Sequence, residues 1–272
     1  MGTVTVFDES ERPIWAGRAQ AYADTFARLC AHPVPLLLDA AAVADGARVL
    51  DVGTGTGAAA AAACARGAKV TAVDAEPSMV RLAERSVPEA DVRLAALPDL
   101  PFADGEFDAV VANFVLNHVG RPRATVAELR RVTRVGGRLA LTIWAAPPGA
   151  GQTLIGRAMQ AAGVTRPDHL PSLDSHEDFP RTTDGLTGLL RAGGLREVRC
   201  ELLTWEHRAT AEEWWAGPAS GVACIGHLLT SQTPHVIAEA KRQYDLLSGE
   251  FAGPDGMLSL PHAALLAHGR VE

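Results

Sequence analysis

The run Asp51-Val52-Gly53-Thr54-Gly55-Thr56-Gly57 is the segment best suited to chemistry. Its glycines allow a tight turn and let a ligand approach bare backbone. It stands between an apolar run, Arg48-Val49-Leu50-Asp51-Val52, and an alanine-rich stretch from Ala58 to Ala65. A helix starting there offers unpaired N–H groups and a positive dipole end. Asp74 closes the next apolar run. A carboxylate in that place accepts two hydrogen bonds from a ribose diol. His118 follows a later apolar run, Phe107–Asn113, and histidine is the residue type best suited to taking up a proton near neutrality.

Two ligand classes fit these residues. Gly53, Gly55 and Ala58 satisfy the dinucleotide pattern G-x-G-x-x-G/A, and Asp74 suits that reading too. Asp51, two residues ahead of Gly53, argues the other way. An acid there repels a pyrophosphate and attracts a cationic ligand. A third glycine, Gly57, extends the run to G-x-G-x-G.

The elements that hold these residues alternate. Strands are expected at 48–52, 69–74, 92–96, 107–113 and 138–145, with helices over 58–65, 76–85 and 123–133. Gly136-Gly137 reads as a turn. Short joints between alternating strands and helices mean a parallel sheet covered on both faces. Residues 14–31 form an amphipathic helix stopped by His32-Pro33, and 35–43 a second one. After Ala145 prolines crowd an irregular segment, 146–182. A helix at 183–192, a strand near 198–204, a helical stretch over 211–249 and a last strand within 258–270 complete the chain.

Composition narrows the field. The chain has 272 residues with 25 Lys and Arg against 32 Asp and Glu, a net charge of -7. That balance lacks the basic excess a nucleic-acid partner needs. A hydrophobic content of 47% excludes a disordered chain. Cys30, Cys64, Cys200 and Cys224 form no C-x-x-C pair, and the histidines form no H-E-x-x-H, so no metal is expected. Dispersed thiols point to a reducing, cytoplasmic location. The N-terminal MGTVTVFDESERP has no apolar centre and is not a signal peptide, and no apolar stretch is long enough to span a membrane.

The segments VLDVGTGTG, VTAVDAEPSMV, LPFADGEFDAVVANFVLNHV and AELRRVTRVGGRLALTIW, together covering roughly residues 46–145, resemble the class I S-adenosylmethionine-dependent methyltransferases. The resemblance is to their ubiquinone/menaquinone-methyltransferase-like small-molecule branch. It implies a Rossmann-like α/β fold: a seven-stranded, mostly parallel sheet with helices on both faces, an antiparallel last strand and a helical cap. It implies S-adenosylmethionine as cofactor and S-adenosylhomocysteine as product. Gly53, Thr54, Gly55 and Gly57 would meet its methionine part, with Asp51 near the amino group. Asp74 would hold the ribose hydroxyls, and Ala75 and Met79 would lie against adenine, although Met79 serves equally as helix packing. The family often has an Asp at the end of strand three. Here Ala96 stands there, so adenine recognition falls to backbone groups of Ala96 and Leu97 or to Asp99. Asn113 would face the cofactor or cap a turn, and Trp15 and Tyr22 would close the site or pack locally.

His118 is the expected base, or else a contact to the cofactor backbone. Trp144, Trp214 and His227 are the expected acceptor contacts, on an aromatic lid suited to a planar or apolar small molecule. The chain reads as one domain. Residues 1–44 form an N-terminal cap, 45–145 the cofactor core, 146–182 and 205–257 lid insertions, and 183–204 with 258–272 the rest of the sheet. A homodimer is compatible with this reading. The alternatives are a nicotinamide-dependent oxidoreductase and a non-catalytic cofactor-binding protein of the same fold.

Overall fold

The computed structural model describes residues 4–167 and 170–272. Four helices come first: α1 (Val6–Trp15), α2 (Ala19–Asp24), α3 (Ala27–Ala31) and α4 (Val34–Ala40). Then β1 (Arg48–Val52), α5 (Ala58–Cys64), β2 (Lys69–Asp74), α6 (Pro77–Ser86), β3 (Asp91–Leu94) and β4 (Phe107–Asn113) alternate. They are followed by α7 (Pro122–Val132), β5 (Thr133–Trp144), α8 (Ala150–Ala161), α9 (Thr183–Ala192) and β6 (Arg196–Ala209). The chain closes with α10 (Ala211–Ala219), α11 (Ala223–Thr230), α12 (Pro234–Ser248) and β7 (Leu258–Arg270).

The seven strands form one sheet in the order β3-β2-β1-β4-β5-β7-β6. The first five are parallel, and β7 runs antiparallel to both β5 and β6. This is the expected architecture. A doubly wound dinucleotide fold runs 3-2-1-4-5-6, without an antiparallel strand inserted beside the fifth. The topology therefore sets the nicotinamide alternative aside.

Side-chain alternation along the strands divides the core. Leu50, Val110, Leu139 and Leu265 point to the face covered by α7 and α9, where Val126, Leu129, Leu186 and Leu190 join them. Val49, Val111, Ala140 and Leu266 point to the other face, against Leu37 and Leu38 of α4 and Ala59, Ala60 and Ala63 of α5. The small alanines of α5 let it lie close to the sheet. A third cluster joins Phe114, Leu154, Trp205, Trp214, Tyr244 and Leu260. It lies where α8, α10 and α12 meet the long ends of β6 and β7.

Several boundaries differ from expectation. The helix expected over 14–31 is three pieces, and it begins earlier. Thr5 caps α1 through the Asp8 N–H while Asp8 accepts from the Thr5 N–H, a reciprocal cap that starts the helix at Val6. The chain then breaks at Gly17 and again at Thr25. Gly136 and Gly137 do not end an element. Strand β5 runs through them from Thr133, with a bulge opposite Phe107–Ala109. Strand β6 continues past Thr204 to Ala209, paired with β7 as far as Leu258. Residues 205–209, assigned to the lid, are therefore sheet. Among the described residues no helix is long and apolar enough to cross a membrane.

Candidate functional site

A cavity of ≈ 670 Å³ opens at the carboxyl ends of β1, β2, β4 and β5. That is the edge where open α/β sheets bind ligands, and the volume suits a small molecule. Its walls include Trp15, Tyr22, Gly53, Gly55, Asp74, Ala75, Met79, Ala96, Leu97, Asn113, His118, Trp144 and Trp214, all expected from sequence.

Four expected residues lie off this wall. Asp51 is buried behind the glycine loop, where Oδ2 accepts the Thr54 hydroxyl at 2.7 Å. Thr54 is thus turned inward, away from a ligand. Gly57 has φ 91° and its Cβ position lies 2.7 Å from Val87 Cγ2, so it is a glycine because α5 meets α6 there. His227 stands on α11, but the cavity meets that helix through Ala223 and Ile225.

The loop itself is held from several directions. Gly53 N–H and Thr54 N–H both donate to the Val73 carbonyl, at 2.8 and 2.9 Å. Gly53 has φ 66°, and a Cβ there would sit 2.5 Å from Val115 Cγ2. Only bare backbone fits between Val115 and the cavity. Asp74 Oδ2 accepts the Gly55 N–H and Oδ1 the Glu76 N–H, both at 2.9 Å. Each oxygen keeps a further acceptor site for a diol. Burial raises the Asp74 carboxyl above its ordinary range. Burial also pushes Asp51 up to about 6, although the Thr54 hydroxyl and the Ala60 N–H favour its ionised form. Asp51 Oδ1 is buried without a partner. An unpaired carboxylate oxygen behind a bare-backbone loop fits a cationic amino group on the cavity side of that loop better than a phosphate.

Asn113 does two things at once. Its Oδ1 accepts the Thr142 hydroxyl at 2.6 Å, and its Nδ2 donates to the Cys30 carbonyl at 2.8 Å. It therefore ties α3 down onto the end of β4. Tyr22 lies beside Gly55 and shares a buried hydrogen bond with Cys30. Burial raises both groups, the Cys30 thiol to about 11, so neither ionises near neutrality.

His118 is held by a residue the sequence did not single out. Its Nδ1 lies 2.8 Å from Glu11 Oε2, which also accepts the Trp15 indole N–H at 3.3 Å. The edge of Trp15 meets the His118 ring at a centroid distance of 5.1 Å. A carboxylate on Nδ1 fixes that proton there and leaves Nε2 as the basic nitrogen. Helix α1 is locked to the same turn by Asp8 Oδ1, which accepts the Gly120 N–H at 2.7 Å.

The other end of the cavity is aromatic. Phe114, at φ 59°, stacks on Trp144 with centroids 4.0 Å apart. Trp214 meets Phe26 and His262 edge to face, both at 5.3 Å. Phe114, Gln152 and His262 line this end and were not singled out from sequence. The sequence signal for His262 was a histidine within a largely apolar strand. Among the described residues no cluster of His, Cys, Asp or Glu could hold a metal ion.

Known proteins resemble the chain in the same terms. The Methyltransferase domain family matches residues 50–141. The demethylmenaquinone methyltransferase of Renibacterium salmoninarum is 38% identical over 112 residues, 41% of this chain and 47% of that protein. The chain thus spans about half the length of that relative. The demethylmenaquinone methyltransferase of Beutenbergia cavernae is 35% identical over 176 residues, 61% of this chain and 73% of that protein. The crystal structure of the YcgJ protein from Bacillus subtilis covers 89% of this chain and 98% of its own. It superposes with a TM-score of 0.55 at 20% identity, a likeness of fold.

Proposed function

The chain belongs to the class I S-adenosylmethionine-dependent methyltransferases, and from that premise we propose that it methylates a small, planar, largely apolar acceptor. The observation that carries this is one cavity with two chemically different ends. One end is bare loop backbone and the Asp74 carboxylate. The other is Phe114, Trp144 and Trp214.

In this reading Asp74 receives the ribose hydroxyls, and Gly53 and Gly55 give the methionine part room against the backbone. Ala75, Met79, Ala96 and Leu97 wall the adenine. Asp51 and Thr54 act from behind by fixing the loop, and Asp51 supplies the negative potential that favours an ammonium group. Trp15 and Tyr22 close the site from the N-terminal helices, with α1 held by the Asp8–Gly120 bond and α3 by Asn113. When bound, S-adenosylmethionine would supply an electrophilic methyl group and a leaving thioether that keeps the bonding pair. The chain's own residues align the acceptor, exclude water and take its proton. His118 Nε2 is the proton acceptor, with Glu11 holding Nδ1–H and stabilising the imidazolium that forms.

The segments 1–44, 146–182 and 210–257 are read as a cap that sets acceptor choice. The demethylated menaquinone precursor named for the relatives supports an aromatic, isoprenoid-like acceptor class. Calorimetric titration with S-adenosylhomocysteine tests the cofactor half. Micromolar binding is expected, with at least a hundredfold loss in Asp74→Ala. No binding at high micromolar concentration rejects the proposal.

A further inference from the structure

Helix α8 opens on Gly149-Ala150-Gly151-Gln152, with Gly149 as its cap, and starts flat against β7. A Cβ on Gly149 would run into the Pro261 carbonyl, and one on Gly151 would sit 2.7 Å from Leu260 Cα. Bare backbone at both positions lets the helix touch the strand and brings the Gln152 side chain to it. Gln152 Oε1 accepts the Gly149 N–H at 2.7 Å and the Ala263 N–H at 2.8 Å. Two N–H donors on one oxygen fix which way the amide is turned, because a flipped amide would set N–H against N–H. Nε2 makes no hydrogen bond among the described residues, and it is not sealed in the interior. The side chain lines the cavity, so these N–H groups face it.

The same end of the cavity holds a second idle donor. Trp214 lines it, is 5% exposed, and has an indole N–H without a partner. Trp144 supplies a flat surface nearby. The Ala263 carbonyl accepts the Ala145 N–H at 3.2 Å, which seats the Gln152 amide beside the end of β5. The wall here brings no charge. Burial lowers the His262 imidazole to about 4, so it is neutral near pH 7, and its Nδ1 lies 2.7 Å from the Leu260 carbonyl oxygen. The charged groups of the cavity, Asp8, Glu11, Arg12, Asp74 and Glu76, belong to α1, the end of β2 and the turn after it. A charged ligand group at the aromatic end would lose hydration without gaining a counter-charge. A hydrocarbon would leave the N–H donors unpaired. A planar ring with an uncharged lone pair in its own plane avoids both costs.

We propose that Gln152 is the specificity-determining residue of the aromatic end: its Nε2–H donates to an in-plane ring nitrogen, and the site takes nitrogen heteroaromatics in preference to hydrocarbons of the same shape. This rests on the methyltransferase reading for the ligand's part as methyl acceptor, but not for the binding preference. A donor that the wrong ligand leaves unpaired filters more sharply than shape does.

Quinoline and naphthalene are the probes, since they share one bicyclic outline and differ by a ring nitrogen in place of a C–H. Equilibrium dialysis against the full chain is run at mildly alkaline pH, where quinoline is uncharged, with and without saturating S-adenosylhomocysteine. The wild type should bind quinoline about tenfold more tightly than naphthalene, the value of one hydrogen bond whose donor is otherwise unpaired. Gln152→Glu keeps an oxygen for the Gly149 and Ala263 N–H groups and replaces the donor by a second carboxylate oxygen. Its ratio should fall to about one or lower. Gln152→Met removes donor and acceptor together, should also bring the ratio to about one, and decides the matter if the Glu variant does not fold. Equal binding of the two probes by the wild type, or binding of neither, overturns the proposal. So does a ratio that stays near the wild-type value in a folded Gln152→Glu or Gln152→Met protein. Failure of S-adenosylhomocysteine to bind, with the probe ratio intact, would instead reject the methyltransferase reading and leave the preference standing.

Discussion

Replacing Asp51 by asparagine tests whether the acid behind the glycine loop costs the fold stability. Asp51 ionises near 3.8 when unfolded and at about 6 when buried. Its folded value is raised, so the favourable contribution is complete below pH 3.8 and is lost as pH rises through 6. Above that the folded chain carries a buried carboxylate, with Thr54 and Ala60 only partly compensating. The two pKa values differ by about 2 units, or about 3 kcal/mol at pH 8. At pH 5 the folded group is still mostly protonated while the unfolded one is mostly charged. The penalty there is only about 1.6 kcal/mol by the same linkage. The Asn variant does not titrate. Its stability relative to wild type should therefore rise by about 1.4 kcal/mol between pH 5 and pH 8, whatever constant cost its amide group adds. Urea unfolding of both proteins at the two pH values, without cofactor, measures this difference of differences. A relative stability that does not change with pH would falsify the buried, high-pKa carboxylate and with it the electrostatic account of the loop.

Gly53→Ala should destabilise the protein by at least about 2 kcal/mol, from the positive φ and the clash with Val115 Cγ2. Adding Val115→Ala should recover part of that in a double-mutant cycle, and additive unfolding energies would refute the clash. Asn113→Ala strips partners from the Cys30 carbonyl and the Thr142 hydroxyl. A loss of about 2 kcal/mol is expected, with faster amide exchange in α3, and unchanged exchange there argues against the tie. Trp144→Ala should leave S-adenosylhomocysteine affinity unchanged by calorimetry while weakening quinoline binding. Equal loss of both would deny the two-ended cavity.

Much of the site was legible because its residues are local in sequence. Gly53, Gly55 and Asp74 belong to one strand–turn–helix–strand unit, and their placement follows from backbone conformation and from where a strand ends. Asp51 was legible as an acid at the loop, but its turn inward toward Thr54 was not. That depends on which side of β1 it occupies and on the depth of packing above it. Apolar periodicity revealed alternating elements, yet it cannot distinguish Gly136-Gly137 as a turn from a bulge inside β5. A bulge exists only relative to the paired strand. The sequence also could not show that α11 meets the cavity through Ala223 and Ile225 and not through His227, since that depends on where the helix starts relative to the sheet edge.

By itself the sequence determined the parallel core and the glycine loop with Asp51 and Asp74 beside it, since short-range sterics and strand–helix alternation leave few other solutions. Only the tertiary structure decided the acceptor end. Glu11 reaches His118 across 107 positions of sequence, and Gln152 reaches Ala263 across 111. His262 enters the cavity because β7 folds back antiparallel beside β5. Such contacts depend on chain crossings and side-chain phase that no local pattern encodes, and they set His262 among tryptophans drawn from three separate elements.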